Sequence, residues 1–193
     1  MAKRSNARRP RPGSVRIIAG DWRGRRLAVA AGSDVRPTPD RVRETLFNWL
    51  MFTLEGSSCL DLYAGTGVLG FEALSRGAAQ AWFVERDRAV VAALAAQAEV
   101  FDVQPRIVRQ DAASLLRGRP PLRFDVVFLD PPYSLPVEPL LELLQPWLTS
   151  EGVVYVERPA SPGLPDVPGA QWWKRTRAGM VEYGLLRWDG AGV

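Results

Sequence analysis

The sequence predicts an α/β protein: a doubly wound, mostly parallel seven-stranded sheet with an antiparallel C-terminal hairpin, preceded by a small β-hairpin and a helix. Three observations predict it. From residue 58 onward, short apolar runs alternate with helix-period segments five times, the pattern of a parallel sheet with helices on both faces. A glycine-rich turn follows the first of those runs. The chain closes with two strand-like segments around Ala178-Gly179, which gives an antiparallel edge. At 193 residues this is one domain with an appendage: a disordered basic tail over 1–14, a hairpin and helix extension over 15–56, and the main α/β domain over 57–193.

Residues 1–14 are rich in Arg, Pro, Ser, Asn and Gly, a composition that does not fold by itself. Residues 15–20 and 26–29 read as the strands of a hairpin around Asp21-Trp22-Arg23-Gly24. Thr38, Pro39 and Asp40 form a helix start, with Thr38 as N-cap and Pro39 in the first helical position. That helix, with Val42, Leu46, Trp49 and Leu50 on one face, extends to about Leu54. The parallel strands are expected at 59–63, 81–85, 106–109, 124–129 and 153–157. Helices are expected at 68–76, 87–101, 112–116 and 138–148. In such a sheet, ligands bind beyond the carboxyl ends of the strands, which selects Asp61–Gly67, Glu85, Gln110-Asp111, Asp130–Tyr133 and Glu157.

Composition restricts the chemistry. The chain has no histidine and a single cysteine, Cys59. Ser-His-Asp and Cys-His catalysis, His-ligated zinc, Cys-only zinc and an internal disulfide are all excluded. No metal is expected, and acid–base work falls to Asp, Glu, Tyr, Lys or backbone groups. The net charge of +4 is uneven: residues 1–26 carry +8 and the remainder −4. Basic asymmetry of this kind points to a polyanion, and 23 of the 25 basic residues are Arg, suited to bidentate phosphate contacts and stacking on bases. The longest apolar run, residues 89–96, falls well short of the ~18 residues of a membrane span. The N-terminus has charge but no apolar segment of a secretory signal behind it. A cytoplasmic protein is expected, with no membrane partner.

Two motifs carry chemistry. The first is Asp61-Leu62-Tyr63-Ala64-Gly65-Thr66-Gly67, continuing to Gly70, with Glu85 ending the next strand. The glycines form a literal G-x-G-x-x-G, which alone would suggest a dinucleotide. An acid four residues before Gly65, however, suits a cationic ligand better than a pyrophosphate. S-adenosylmethionine (SAM) has a sulfonium, an amino acid end and a ribose but no phosphate. The second motif, Asp130-Pro131-Pro132-Tyr133, is the more specific. A carboxylate at a strand end and the Pro131 carbonyl can both accept hydrogen bonds from an exocyclic NH₂. Tyr133 can stack on the ring bearing that amine. The amine is a poor nucleophile because its lone pair is drawn into the ring, and two acceptors on its hydrogens free that pair.

Several stretches resemble the RsmD family of bacterial methyltransferases, which modify the exocyclic N2 of a guanine in small-subunit ribosomal RNA. They are 16–25, Arg36-Pro37-Thr38 with 40–50, 59–67, 72–77, and Asp130-Pro131-Pro132-Tyr133. The resemblance implies a Rossmann-like SAM-dependent methyltransferase fold, with 57–193 as the catalytic domain. SAM would lie over Asp61, Tyr63, Ala64, Gly65, Thr66 and Gly67, with Glu85 and Arg86 at its ribose, Asp111 and Ala112 near its adenine, and Asp130 close by. Asp130, Pro131 and Tyr133 would be catalytic. Arg16, Arg23, Arg25, Arg26, Arg36, Thr38, Arg41 and Tyr133 would meet the RNA. The implied partner is 16S ribosomal RNA, within an assembling small subunit, and the enzyme is expected as a monomer. Asp-Pro-Pro-Tyr is shared with adenine-N6 DNA methyltransferases, so the base is narrowed by the N-terminal hairpin and the Arg-Pro-Thr helix. The glycine pattern keeps a nicotinamide-dependent oxidoreductase in view, and the fold could also serve a non-catalytic RNA-binding protein, against which the intact Asp-Pro-Pro-Tyr argues.

Overall fold

The computed structural model describes residues 13–29 and 38–188. Most of the basic tail, and Arg36, lie outside the described residues. A seven-stranded sheet forms from β3 (Ser58–Leu62), β4 (Gln80–Glu85), β5 (Arg106–Arg109), β6 (Phe124–Leu129), β7 (Leu148–Pro159), β8 (Ala170–Ala178) and β9 (Val181–Trp188), in the order β5-β4-β3-β6-β7-β9-β8. The first five in that order pair in parallel; β9 pairs antiparallel with both β7 and β8. The chain runs outward from β3 to β5, then returns to place β6 on the other side of β3. That reversal opens a crevice at the carboxyl ends of β3 and β6.

The sheet separates two apolar layers. One holds Phe71, Phe83, Phe101, Phe128 and Tyr155 with the N-terminal extension. The other holds Trp82, Phe124, Leu141, Leu144 and Trp147. Helices α2 (Val68–Ser75) and α3 (Arg88–Phe101) pack on the first; α4 (Ala112–Leu116) and α5 (Glu138–Leu144) pack on the second.

The main departures from expectation each have a local reason, while helix α1 also ends at Trp49, short of the expected Leu54. The N-terminal strands are shorter, β1 (Ser14–Arg16) and β2 (Arg26–Ala28), because the Ile18 and Ala19 N–H groups donate to the Glu72 carboxylate at 2.8 and 3.0 Å instead of continuing a ladder. Helix α1 is Asp40–Trp49, with Pro39 rather than Thr38 at the N-cap; the Thr38 hydroxyl instead donates to Asp130 at 3.2 Å. Helix α5 stops at Leu144 and continues as a 3₁₀ turn, Gln145–Trp147, since Pro146 has no N–H to extend an α-helix. Strand β7 begins at Leu148 rather than near Val153, pairing Leu148 with Phe124 before a register shift restores Val153 opposite Val126.

Candidate active site

The crevice is a cavity of about 1020 Å³ lined by residues from seven separate places in the chain, from Thr38 to Val181. Its floor is the turn after β3. Gly67 sits in left-handed conformation (φ 72°) as the N-cap of α2, and a Cβ there would lie 2.6 Å from Leu94 and 2.8 Å from Phe71. Glycine is therefore required on two counts. Tyr63, at φ 61°, is a non-glycine residue in the same region. Such strain persists where the surroundings over-determine it, and it clusters at binding sites. Asp61 is buried and accepts from the Gly70 N–H at 3.0 Å. Burial, reinforced by the nearby Asp130 and Glu85 charges, holds its pKa well above the usual carboxylate range.

Around that floor stand the ends of the neighbouring strands. Glu85 accepts from the Arg86 and Asp87 N–H groups at 2.8 and 2.9 Å through one oxygen, and from Gly65 N–H at 3.3 Å through the other. Asp111 caps α4 through Oδ1, accepting from Ser114 N–H at 2.9 Å. Both acids line the cavity, so each combines a local structural bond with a face turned to a ligand.

The fourth wall is Asp130-Pro131-Pro132-Tyr133. The Asp130 carboxyl is pushed up to about 8, chiefly by burial and then by the Glu157 charge. Glu157, also buried, accepts from the Tyr133 hydroxyl on Oε1 and the Tyr155 hydroxyl on Oε2, both at 2.9 Å. These two bonds favour its ionised form, although burial raises its pKa. Of the pair, Asp130 is thus the partner that keeps a proton at neutral pH. Arg158 donates to the Tyr133 carbonyl at 2.8 Å and lies 5.6 Å from the Tyr133 ring centre. The Tyr133 ring remains 45% exposed at the cavity mouth, free to meet a planar ligand.

The structure brings Thr38, Asp61, Tyr63, Ala64, Gly65, Thr66, Glu85, Arg86, Asp111, Ala112, Asp130, Pro131 and Tyr133 to one cavity. Gly67 lies behind it, shaping the turn. The basic residues lie elsewhere. Arg16 pairs with Asp40 at 3.1 Å, Arg25 packs 4.2 Å over Phe101, and Arg26 donates to Ser14 at 2.8 Å. Arg23 and Arg41 are exposed. Sequence reasoning named Glu157 only as a strand end; its grip on two tyrosines, 24 and 2 residues away, is a tertiary fact with no local signal. Arg158 carries no sequence signal either.

The sheet order with its reversed final hairpin, and a cavity built on the turn after β3, define the SAM-dependent methyltransferase class of α/β folds. Known proteins narrow this further. Residues 15–187 match the family described as conserved hypothetical protein 95, and the chain belongs to that family, the RsmD family of the sequence resemblance. It is 43% identical, over 93% of each chain, to ribosomal RNA small subunit methyltransferase D of Escherichia coli K12. It is 41% identical to the protein of that name from Haemophilus influenzae, over 91% of this chain and 94% of that one. A solved Escherichia coli structure assigned as a methyltransferase, yhhF, superposes with a TM-score of 0.84 at 41% identity, covering 92% of this chain and 99% of that one.

Proposed function

We propose that the protein transfers a methyl group from SAM to the exocyclic N2 amine of a guanine in small-subunit ribosomal RNA. The observation that carries this reading is the placement of Asp130-Pro131-Pro132-Tyr133 on the same cavity as the glycine turn and Asp61. The E. coli relative bears the name of a small-subunit ribosomal RNA methyltransferase, which supports the RNA class; the guanine follows from the family resemblance.

The residues fit SAM. Asp61 is a buried acid and Asp130 a half-buried one; desolvation and neighbouring negative charge raise both pKa values, and a cationic ligand supplies the counter-charge they lack. Gly65 lets the backbone approach a ligand closely, and Glu85 and Asp111 present oxygens to hydroxyl or amine donors. When bound, SAM supplies an electrophilic methyl group on its sulfonium. The protein's own residues then do the following. Positive charge in the cavity shifts Asp130 to its ionised, hydrogen-bond-accepting form. The Asp130 carboxylate and the Pro131 carbonyl take the two hydrogens of the target amine and aim its lone pair at the methyl carbon. Tyr133, fixed by Glu157 at its hydroxyl and by Arg158 at its carbonyl, lies against the base. As the C–N bond forms and the C–S bond breaks, the proton shed by nitrogen passes to Asp130 and then to solvent. Most of the acceleration comes from holding amine and methyl in line. The target base must leave its stack to enter so enclosed a site. The arginines of the N-terminal extension hold the RNA backbone with little regard to sequence.

The test is transfer of labelled methyl from SAM to undermethylated small ribosomal subunits, to naked ribosomal RNA and to DNA, followed by nucleoside analysis. N2-methylguanosine in either RNA substrate is expected. Label in N6-methyladenine of DNA, or in no nucleic acid, would overturn the reading.

A further inference from the structure

The N-terminal arginines lie on the side of the molecule covered by α2 and α3, where the hairpin β1–β2 packs: Arg25 meets Val100 and Phe101, and the Ala28 N–H donates to Gln97. At the edge of the sheet is the hairpin β8–β9, also rich in cations and without a part in the methyl transfer itself. Lys174, Arg175 and Arg177 are exposed along β8. A register shift between Trp172 and Lys174 makes Trp173 a bulge residue, leaving it 40% exposed. The Arg187 guanidinium stacks 3.5 Å over the Trp173 ring, and the Lys174 ammonium lies 5.3 Å from it. Acids offset this charge only in part. Arg175 and Arg177 share the single carboxylate of Glu182, at 2.7 and 3.7 Å, with Asp166 adding a weaker pull on Arg175.

A further fact points to a ligand rather than to a merely solvated face: β8 runs directly to the cavity. The turn after it presents Met180, 82% exposed, and both Met180 and Val181 line the cavity mouth beside Leu135 and Tyr133. The Ala160 N–H donates to the Met180 carbonyl at 2.8 Å, and Arg177 donates to the Ala160 carbonyl at 3.1 Å, so the turn is anchored. Edge-strand cations also discourage strand-to-strand association, but that role requires neither a stacked tryptophan nor a path to the cavity.

We propose that the C-terminal hairpin is a second RNA-contact surface, which holds the phosphate backbone through Lys174 and Arg187 beside Trp173 and leads the strand past Met180 into the cavity. It rests on the reading of the chain as an RNA methyltransferase and adds a grip separate from the N-terminal one. Phosphates meet the arginine and the lysine, and Trp173 offers an apolar face beside them.

The experiment is equilibrium binding of a small-subunit ribosomal RNA transcript by the full chain across a range of salt concentrations. Each phosphate contact contributes roughly 0.7–0.9 to the slope of log affinity against log salt. Lys174→Gln together with Arg187→Gln should lower that slope by about 1.4–1.8 and weaken binding on the order of tenfold near 0.15 M salt, with SAM affinity unchanged. Lys174→Gln alone, at an exposed residue whose neighbour is the Trp173 ring, should remove about half of the slope change and covers the case in which the double variant folds poorly. The charge-preserving pair Lys174→Arg and Arg187→Lys should keep the wild-type slope. A wild-type slope in both Gln variants overturns the hairpin surface while leaving the enzyme reading intact. A wild-type protein that neither binds nor methylates the RNA overturns that reading itself.

Discussion

Two regions of this molecule bury carboxylates, and they do so in opposite ways. Glu72, in α2, is surrounded by donors. Both oxygens are used by the Ile18 and Ala19 N–H groups, by Arg76 at 2.8 Å and by the equally buried Arg43 at 3.3 Å. It fastens the N-terminal hairpin and α1 to the sheet domain with its charge fully compensated. At the cavity, Asp61 and Glu157 are buried and Asp130 is half-buried, with a backbone N–H, two tyrosine hydroxyls and a threonine hydroxyl, in that order, for company. No cation pairs with any of them within 4 Å among the described residues, and burial raises all three pKa values. The first arrangement is complete and holds structure. The second lacks positive charge and stores that deficit for a ligand, which is how an active site differs from a structural clamp of similar residue types.

The comparison breaks first at Glu72. Glu72→Ala leaves the buried Arg43 with only Asp40, at 2.6 Å, as an ion-pair partner and two N–H groups unsatisfied, a loss of about 3 kcal/mol, the low end for broken buried pairs. For a chain of this size that is roughly a 10 °C fall in melting temperature, read by calorimetry. A variant melting within a degree or two of wild type would show the clamp to be dispensable. Asp130 should behave in the opposite sense. Asp130→Ala removes an acid that is uncompensated in the free protein, so the fold should survive, or gain slightly in stability at pH 8. Methyl transfer should fall on the order of 10²–10³-fold, the scale of losing one preorganised transition-state partner, with SAM binding retained by calorimetry. Near-normal turnover would remove Asp130 from the chemistry.

How far the sequence exposes these roles follows from the range of the interactions. The glycine turn and the Asp-Pro-Pro-Tyr turn are local, since the residues that shape each lie within a few positions of one another. They are legible, as is the strand–helix alternation that sets the sheet order. Glu72 and Glu157 are not. The partners of Glu72 come from positions 18, 19, 43 and 76, and those of Glu157 from 133 and 155, so only the folded chain distinguishes one acid from the other. Thr38 marks the boundary between the two cases. Its type and its neighbours Pro39 and Asp40 fit a helix cap, but the fold places Asp130 within reach of its hydroxyl, and the side chain bonds there instead.

Glu157 gives the smallest effect and the sharpest one. With Asp130 holding its proton up to about 8 in the free site, kcat/KM at subsaturating SAM should rise with pH and level off above that value, because only the ionised carboxyl accepts the amine hydrogens and kcat/KM reports the free enzyme. Glu157→Gln removes a negative charge that raises the Asp130 pKa, so the rising limb must move to lower pH. The same change replaces a carboxylate accepting from two hydroxyls with an amide that accepts from one of them and donates to the other, which loosens Tyr133. The plateau at pH 9 should therefore drop, by about tenfold if the lost hydrogen bond is worth the ~1.5 kcal/mol typical of one to a charged group. The two readouts separate the two jobs of this side chain. A lowered plateau with the limb still near 8 would make Glu157 a support for the tyrosine alone. A shifted limb at full plateau would make it a charge acting on Asp130 alone. Neither change would sever it from the reaction and leave the cavity's deficit of positive charge to Asp61 and Asp130.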